Sequence, residues 1–161
     1  MLLAQVNVAR MRGAPSSPIM AGFMAAVDPV YRMAEASPGF VWRLHGTDGH
    51  MPTRHDEAEG WHVVNVSVWV SYEALHQFVY RSQHGGLVRR RAQWFLPTPQ
   101  PSTALWWLPD DHRPGLDQAR ARLAILRREG PSPRAFSLRR RFDPDSTPSR
   151  RTWQQAADRP T

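Results

Sequence analysis

W-V-S-Y-E-A-L-H-Q-F-V-Y-R-S-Q-H-G-G-L-V-R-R-R-A-Q-W-F, residues 69–95, joins the end of a strand to a histidine-bearing helical stretch, and the rest of the chain is read outward from it. Trp69-Val70-Ser71 looks like a strand running into a helix cap. The Ser71 hydroxyl can accept from the backbone N–H of Glu73 or Ala74, which predicts a helix from Tyr72. Further on, helical spacing would set His84, Val88, Arg91 and Phe95 on one stripe. A titratable imidazole then shares a largely apolar face with a guanidinium.

Upstream, Trp61 to Val70 carries Val64, Val66, Val68 and Val70 on one face and Val63, Asn65, Ser67 and Trp69 on the other, the period of a strand. Phe40 to His45 reads as a shorter strand, separated from it by a polar, mobile loop from Gly46 to Gly60. Leu2 to Arg10 alternates Ala4, Val6 and Val8 against Leu3, Gln5, Asn7 and Ala9, giving a first strand with two unlike faces. Between these strands, Ser17 and Pro18 can open a helix that ends near Ala36. Its apolar positions include Ile19, Met20, Phe23, Val27, Val30 and Met33, with a kink or break expected before Pro29.

Downstream, a proline-rich linker from Pro97 to Pro101 leads into a fourth strand, Ser102 to Leu108. Gly115 to Glu129 reads as an accessory helix stopped by Gly130-Pro131. Ala135 to Phe142 is expected to add an edge strand, and Asp143 to Thr161, rich in Pro, Arg and Ser, a disordered tail. The expected fold is therefore α+β, a ferredoxin-like βαββαβ antiparallel sheet with helices on one face. It forms a single domain over residues 1–142 with a tail over 143–161.

With 161 residues the chain holds one core, and its 41% hydrophobic content and seven tryptophans argue against disorder. No apolar run approaches the ~20 residues that cross a bilayer. The start lacks the basic flank of a signal peptide, and there is no cysteine, so a cytoplasmic protein without disulfides is expected. All 21 basic side chains are arginine, and the net charge of +7 is partly a tail effect, since six Arg against three Asp from Arg139 onward leave about +4 for the body. The arginines are scattered rather than interleaved with aromatics on one surface, which disfavours nucleic acid as a partner. His45, His50, His55 and His62 fit no zinc spacing, and the glycines form no phosphate loop or dinucleotide fingerprint.

If the helices cover one face, the other carries Gln5 and Asn7, Trp42 or Arg43, Asn65, Ser67 and Trp69, and Trp106 or Trp107. Aromatics mixed with a few amides suit a ligand pocket with orienting polar groups. They also suit a homodimer interface, and a homodimer folding two sheets together would build such a pocket.

The blocks L-A-Q-V-N-V-A-R-M, S-P-G-F-V-W-R-L, N-V-S-V-W-V-S-Y-E-A-L, F-V-Y-R-S-Q-H, R-R-R-A-Q-W-F and A-L-W-W-L-P resemble a bacterial domain-of-unknown-function family, DUF3291-like, over most of residues 2–142. More distantly, W-x-S-x-E-A-L-x-x-F followed by a helical histidine resembles the dimeric α/β-barrel superfamily of antibiotic-biosynthesis and heme-degrading monooxygenases. That resemblance implies a homodimeric barrel, a heme cofactor, iron ligation by His84 and distal assistance by Asn7. On the residues alone His84 has three readings: a metal ligand, a general base, or a core histidine satisfied by a backbone carbonyl.

The expected function is a monooxygenase-like enzyme acting on a hydrophobic or aromatic small molecule in a Trp-lined pocket. His84, Asn7 and Asn65 are its catalytic residues, and His84, Arg91, Trp69, Trp94 and Trp42 bind the cofactor or substrate. The cofactor is heme or none; without one, the substrate carbanion meets oxygen directly and His84 is the base. The alternative is a non-catalytic ligand-binding or assembly protein in which His84 is structural.

Overall fold

The computed structural model of the chain describes residues 1–46, 51–83 and 87–149. In chain order the elements are β1 (Leu2–Arg10), α1 (Ala21–Glu35), β2 (Phe40–Arg43), β3 (Thr53–Asp56), β4 (Gly60–Trp69), α2 (Tyr72–Gln83), α3 (Leu87–Trp94), β5 (Thr103–Leu108) and α4 (Leu116–Glu129). The sheet runs β2-β4-β1-β5 with every pair antiparallel, and β3 adds a hairpin partner to β4. This is the ferredoxin-like order, with β4 and β1 as its two central strands.

Local chemistry explains most boundaries. Ser71 Oγ accepts from Ala74 N at 3.2 Å and caps α2, as the sequence predicts. Gly130, at φ +76°, ends α4 in a conformation that glycine adopts without steric cost. Ser17 instead donates its hydroxyl to Ala14 O at 2.6 Å, and a 3-10 turn, Pro18–Met20, precedes α1. That helix runs unbroken through Pro29, so the expected break does not occur. The loop expected over 46–60 contains the β3–β4 hairpin; residues 47–50 lie outside the described residues.

The two faces of the sheet are covered in the reverse of the expected way. The valine face, with Ala4, Val6, Val64, Val66, Val68, Ala104 and Trp106, packs under α4 through Ala119, Leu123 and Leu126. The amide-bearing face lies under α1, α2 and α3. Its apolar residues sit at the two ends of the strands. Leu3, Trp69 and Leu105 join Ala34, Tyr72, Leu75 and Phe136 at one end, while Ala9 and Val63 join Met20, Val27, Tyr31, Trp94 and Phe95 at the other. These clusters hold the helices against the sheet, and the polar middle of the face, Gln5, Asn7, Asn65 and Ser67, is left between them. A cavity lies on this face within one chain, between the sheet and these helices.

The segment expected as an edge strand does lie beside β5, but through a single bridge between Leu105 and Phe136. Of the tail expected from Asp143, residues 143–149 form a turn in which Asp143 N donates to Thr147 O at 2.8 Å and Ser149 N to Arg141 O at 2.9 Å. Residues from 150 lie outside the described residues. Among the described residues no helix is long and apolar enough to cross a membrane.

Candidate functional site

Between the amide face and the three helices lies a cavity of about 350 Å³. Its floor is Gln5, Asn7, Asn65, Ser67 and Thr103 from three adjacent strands. Asn7 and Asn65 are direct cross-strand partners, and Asn7 Nδ2 donates to Thr103 Oγ1 at 2.6 Å, which fixes its amide. One wall is aromatic. The Phe40 ring meets Trp69 edge-on at 5.4 Å, and Phe78 stacks on Trp69 at 5.1 Å. Trp69 Nε1 donates to Ser67 Oγ at 2.9 Å, so the indole is both packed and anchored.

The roof is α1 and the α2–α3 pair, which contribute Tyr31, Ala34, Val79 and Arg91. Arg43 from β2 stands beside Tyr31, with its guanidinium carbon 3.9 Å from the ring centroid and its Nε donating to Glu35 Oε1 at 2.7 Å. Burial pushes the Tyr31 phenol up to about 12, with nearby Arg43 pulling down and Asp28 pushing up. Tyr31 is therefore a hydrogen-bond donor at physiological pH and does not act as a base.

Of the residues predicted from sequence, Asn7, Asn65, Trp69 and Arg91 come together in this cavity. Trp94 does not line it. It is buried in the neighbouring cluster against Phe23, at 5.7 Å, because α3 turns that position toward α1. Trp42 is a correction: it packs on the valine face opposite Val68, and Arg43, one residue later, takes the cavity side. His84 lies outside the described residues. Tyr31, Phe40, Phe78 and Thr103 were not singled out from the sequence, and Arg43 was named only as the alternative to Trp42 on this face.

A larger groove, about 860 Å³, runs between the start of α2 and the C-terminal segment, bordered by Tyr72, Trp107, Phe136, Arg141 and Phe142. Several of its polar groups are engaged within the fold. Trp107 Nε1 donates to Phe142 O at 2.7 Å, Tyr72 Oη to Leu138 O at 3.3 Å, and the Arg141 guanidinium lies 3.8 Å from the Tyr72 ring centroid. Size alone favours the groove. The cavity is favoured by chemistry, because it joins a fixed amide floor and an aromatic wall to two buried donors, Tyr31 Oη and Arg43 Nη1, that have no hydrogen-bond partner in the protein.

A family model described as a domain of unknown function, DUF3291, matches residues 2–152. The chain belongs to this family. No curated protein sequence matches this DUF3291 chain. Among solved structures it is similar to SnoaB, described as a cofactor-independent oxygenase from Streptomyces nogalater. The identity is 16% and the TM-score 0.46, over 68% of this chain and 94% of that one. It is also similar to a protein described as a putative antibiotic biosynthesis monooxygenase from Chloroflexus aurantiacus J-10-fl, at 14% identity and a TM-score of 0.41, over 71% of this chain and all of the other (100%).

The described residues of the DUF3291 cavity do not fit a heme. An axial donor is a histidine, cysteine, methionine or ionised tyrosine. The described lining holds none of the first three, and its tyrosine, with a phenol pushed up to about 12 in the metal-free protein, would have to surrender that proton to iron. Among the described residues no group of three or more His, Cys, Asp or Glu could hold a metal ion either. The histidines of the β3–β4 hairpin are engaged separately, with His55 against the Trp61 ring at 5.1 Å and His62 Nε2 at 3.4 Å from Glu59.

Proposed function

We propose that the cavity binds a small aromatic or otherwise hydrophobic molecule and that the protein acts on it in the manner of a cofactor-free monooxygenase. One observation carries the reading: paired amides from neighbouring central strands share a cavity of about 350 Å³ with an aromatic wall. Sites for small ligands combine an apolar lining with a few fixed polar groups, and such cavities start at roughly 300 Å³. A flat ring sits against Phe40, Trp69 and Phe78. A carbonyl on that ring is directed to Asn65 or Asn7.

Hydrogen bonds to that carbonyl stabilise the negative charge that develops on its oxygen when a neighbouring C–H is deprotonated. The substrate carbanion then supplies its own electrons to dioxygen. The base in this proposal is His84, by its place in the sequence between Phe78 and Val79 on α2 and Arg91 on α3, all three of which line the cavity. A homodimer, as the barrel resemblance implies, would use the strip of Val8, Trp42 and Leu44 that stays partly exposed beside α4.

Thermal-shift and oxygen-uptake measurements with a panel of hydroxylated and keto-substituted naphthalenes test the proposal. Aromatic members should raise the Tm of the wild type and less so that of Asn65→Ala, and at least one should consume oxygen in a His84-dependent way. Binding without oxygen uptake, unaffected by His84→Ala, would leave a non-catalytic binding protein. No Tm shift with any aromatic member would overturn both readings.

A further inference from the structure

Two buried donors in the cavity are unused within the protein. The Tyr31 hydroxyl, on a residue 8% exposed, and Arg43 Nη1, on a side chain 11% exposed, have no hydrogen-bond partner. A buried donor without a partner carries a penalty of about 1–3 kcal/mol, and more where the group is charged, so two such donors side by side on a cavity call for an acceptor from outside the chain, a water, an ion or a ligand. Their geometry is fixed in advance. Glu35 holds Arg43 Nε, and the guanidinium carbon lies 3.9 Å from the Tyr31 ring centroid, so two contacts restrain the guanidinium beside the phenol.

The rest of the lining agrees in sign. It contains two arginines, Arg43 and Arg91, and no aspartate, glutamate or histidine among the described residues. Glu35, the carboxylate nearest Arg43, is committed to Nε, and Asp28 acts on Tyr31 without lining the cavity. Tyr31 stays protonated and so remains a donor. A site offering a guanidinium edge and a phenol O–H beside an aromatic wall matches an acceptor that is anionic, bidentate and attached to a ring.

We infer that the Tyr31–Arg43 end of the cavity receives the carboxylate of a planar aromatic acid. This names the substrate class for the small-molecule site above and rests on that reading. The ring lies along Phe40, Trp69 and Phe78, and the carboxylate oxygens accept from Arg43 Nη1 and Tyr31 Oη.

The test is calorimetric titration with two probes of one shape, 2-naphthoate and its neutral amide, 2-naphthamide. The wild type should prefer the naphthoate on the order of ten-fold or more, the strength of a charge-assisted hydrogen bond. Arg43→Gln should bring the ratio of affinities close to one, and Tyr31→Phe should lower it several-fold. Tyr31→Phe removes only a hydroxyl that bonds nothing in the free protein, so it keeps the test valid even where Arg43→Gln disturbs β2. Equal affinity for both probes in the wild type, or a ratio unchanged in Tyr31→Phe, would overturn the carboxylate assignment while leaving the aromatic site standing. Binding of neither probe would remove the site itself.

Discussion

Asn65 of β4 lies directly opposite Asn7 of β1 on the cavity floor, while the next pair along the same two strands, Val66 and Val6, is completely buried on the other face beneath α4. A one-residue step thus moves from the proposed binding surface to the core. Two truncations should separate the two roles. Val66→Ala is expected to lower stability by about 2 kcal/mol through lost burial and a residual void, with aromatic binding retained. Asn65→Ala should change stability little and weaken the binding of 2-naphthamide or a naphthol by roughly three- to ten-fold, the worth of one hydrogen bond. Urea titration and calorimetry on the two variants read these quantities independently. Equal effects on both would contradict the assignment of faces.

Trp69 and Trp42 provide a spectroscopic version of the same division. Trp69 lines the cavity and stacks with Phe78, whereas Trp42 packs on the valine face. A non-fluorescent aromatic acid such as 4-nitrobenzoate should quench the tryptophan emission of the wild type and of Trp42→Phe. Trp69→Phe should lose the larger share of that quenching. Quenching that follows Trp42 instead would place the ligand on the wrong side of the sheet.

Gly39 closes the turn between α1 and β2 at φ +82°, and a Cβ there would lie 2.6 Å from Ala74 Cβ and 2.7 Å from Val70 Cγ2. Its carbonyl also accepts from Val70 N at 2.8 Å, tying β2 to the entry of α2. Gly39→Ala is expected to destabilise by about 1–3 kcal/mol through both the left-handed backbone and the steric contact. A drop of several degrees in Tm would be the readout. An unchanged Tm would contradict this turn.

Alkaline pH should destabilise the protein through two buried phenols. Burial raises Tyr31 and Tyr72 to about 12, against the opposing pull of Arg43 and Arg141 respectively. A folded-state value above the unfolded one means the folded protein holds the proton more tightly. The stabilisation is therefore complete below pH 10 and is lost as pH rises toward 12. For Tyr31 the rise from 10.0 to about 12 corresponds to at most about 3 kcal/mol. Urea titrations at pH 9 and pH 11 should show the fall, and Tyr31→Phe should reduce it. A stability unchanged between those values would contradict the burial of both rings.

The alternation in β1 and β4 was legible from sequence because each strand carries a full period-2 pattern, and Asn7, Asn65 and Trp69 followed from it. The role of β2 was not legible, for a specific reason. A bulge between Phe40 and Trp42 inserts Val41, so Phe40 pairs with Trp69, Trp42 with Val68 and Arg43 with Ser67. Simple alternation from Phe40 would put Trp42 in the cavity and Arg43 outside. The bulge exchanges them, and a parity change of this kind leaves no trace in composition.

Tyr31 was missed because the buried stripe of α1 is Val27, Tyr31 and Ala34, with Met20 just before it, whereas Ile19 and Met33, assigned to that stripe by hydropathy, are 49% and 41% exposed. The β3–β4 hairpin was read as loop because Thr53-Arg54-His55-Asp56 has no apolar alternation. Its turn did carry a signal. Asp56 Oδ1 accepts from Ala58 N and Glu59 N, and Gly60 follows at φ +79°.

The central claim is that an aromatic molecule enters the space between the amide face and α1–α3. Two-dimensional NMR of the side-chain amide and indole N–H groups during titration with 2-naphthoate tests it most directly. Saturable shifts of the Asn7 and Asn65 amides and the Trp69 indole, with the Trp107 indole unmoved, are the predicted result. Shifts confined to Trp107 beside the C-terminal groove, or to Trp42 and Trp106 on the valine face, would contradict it.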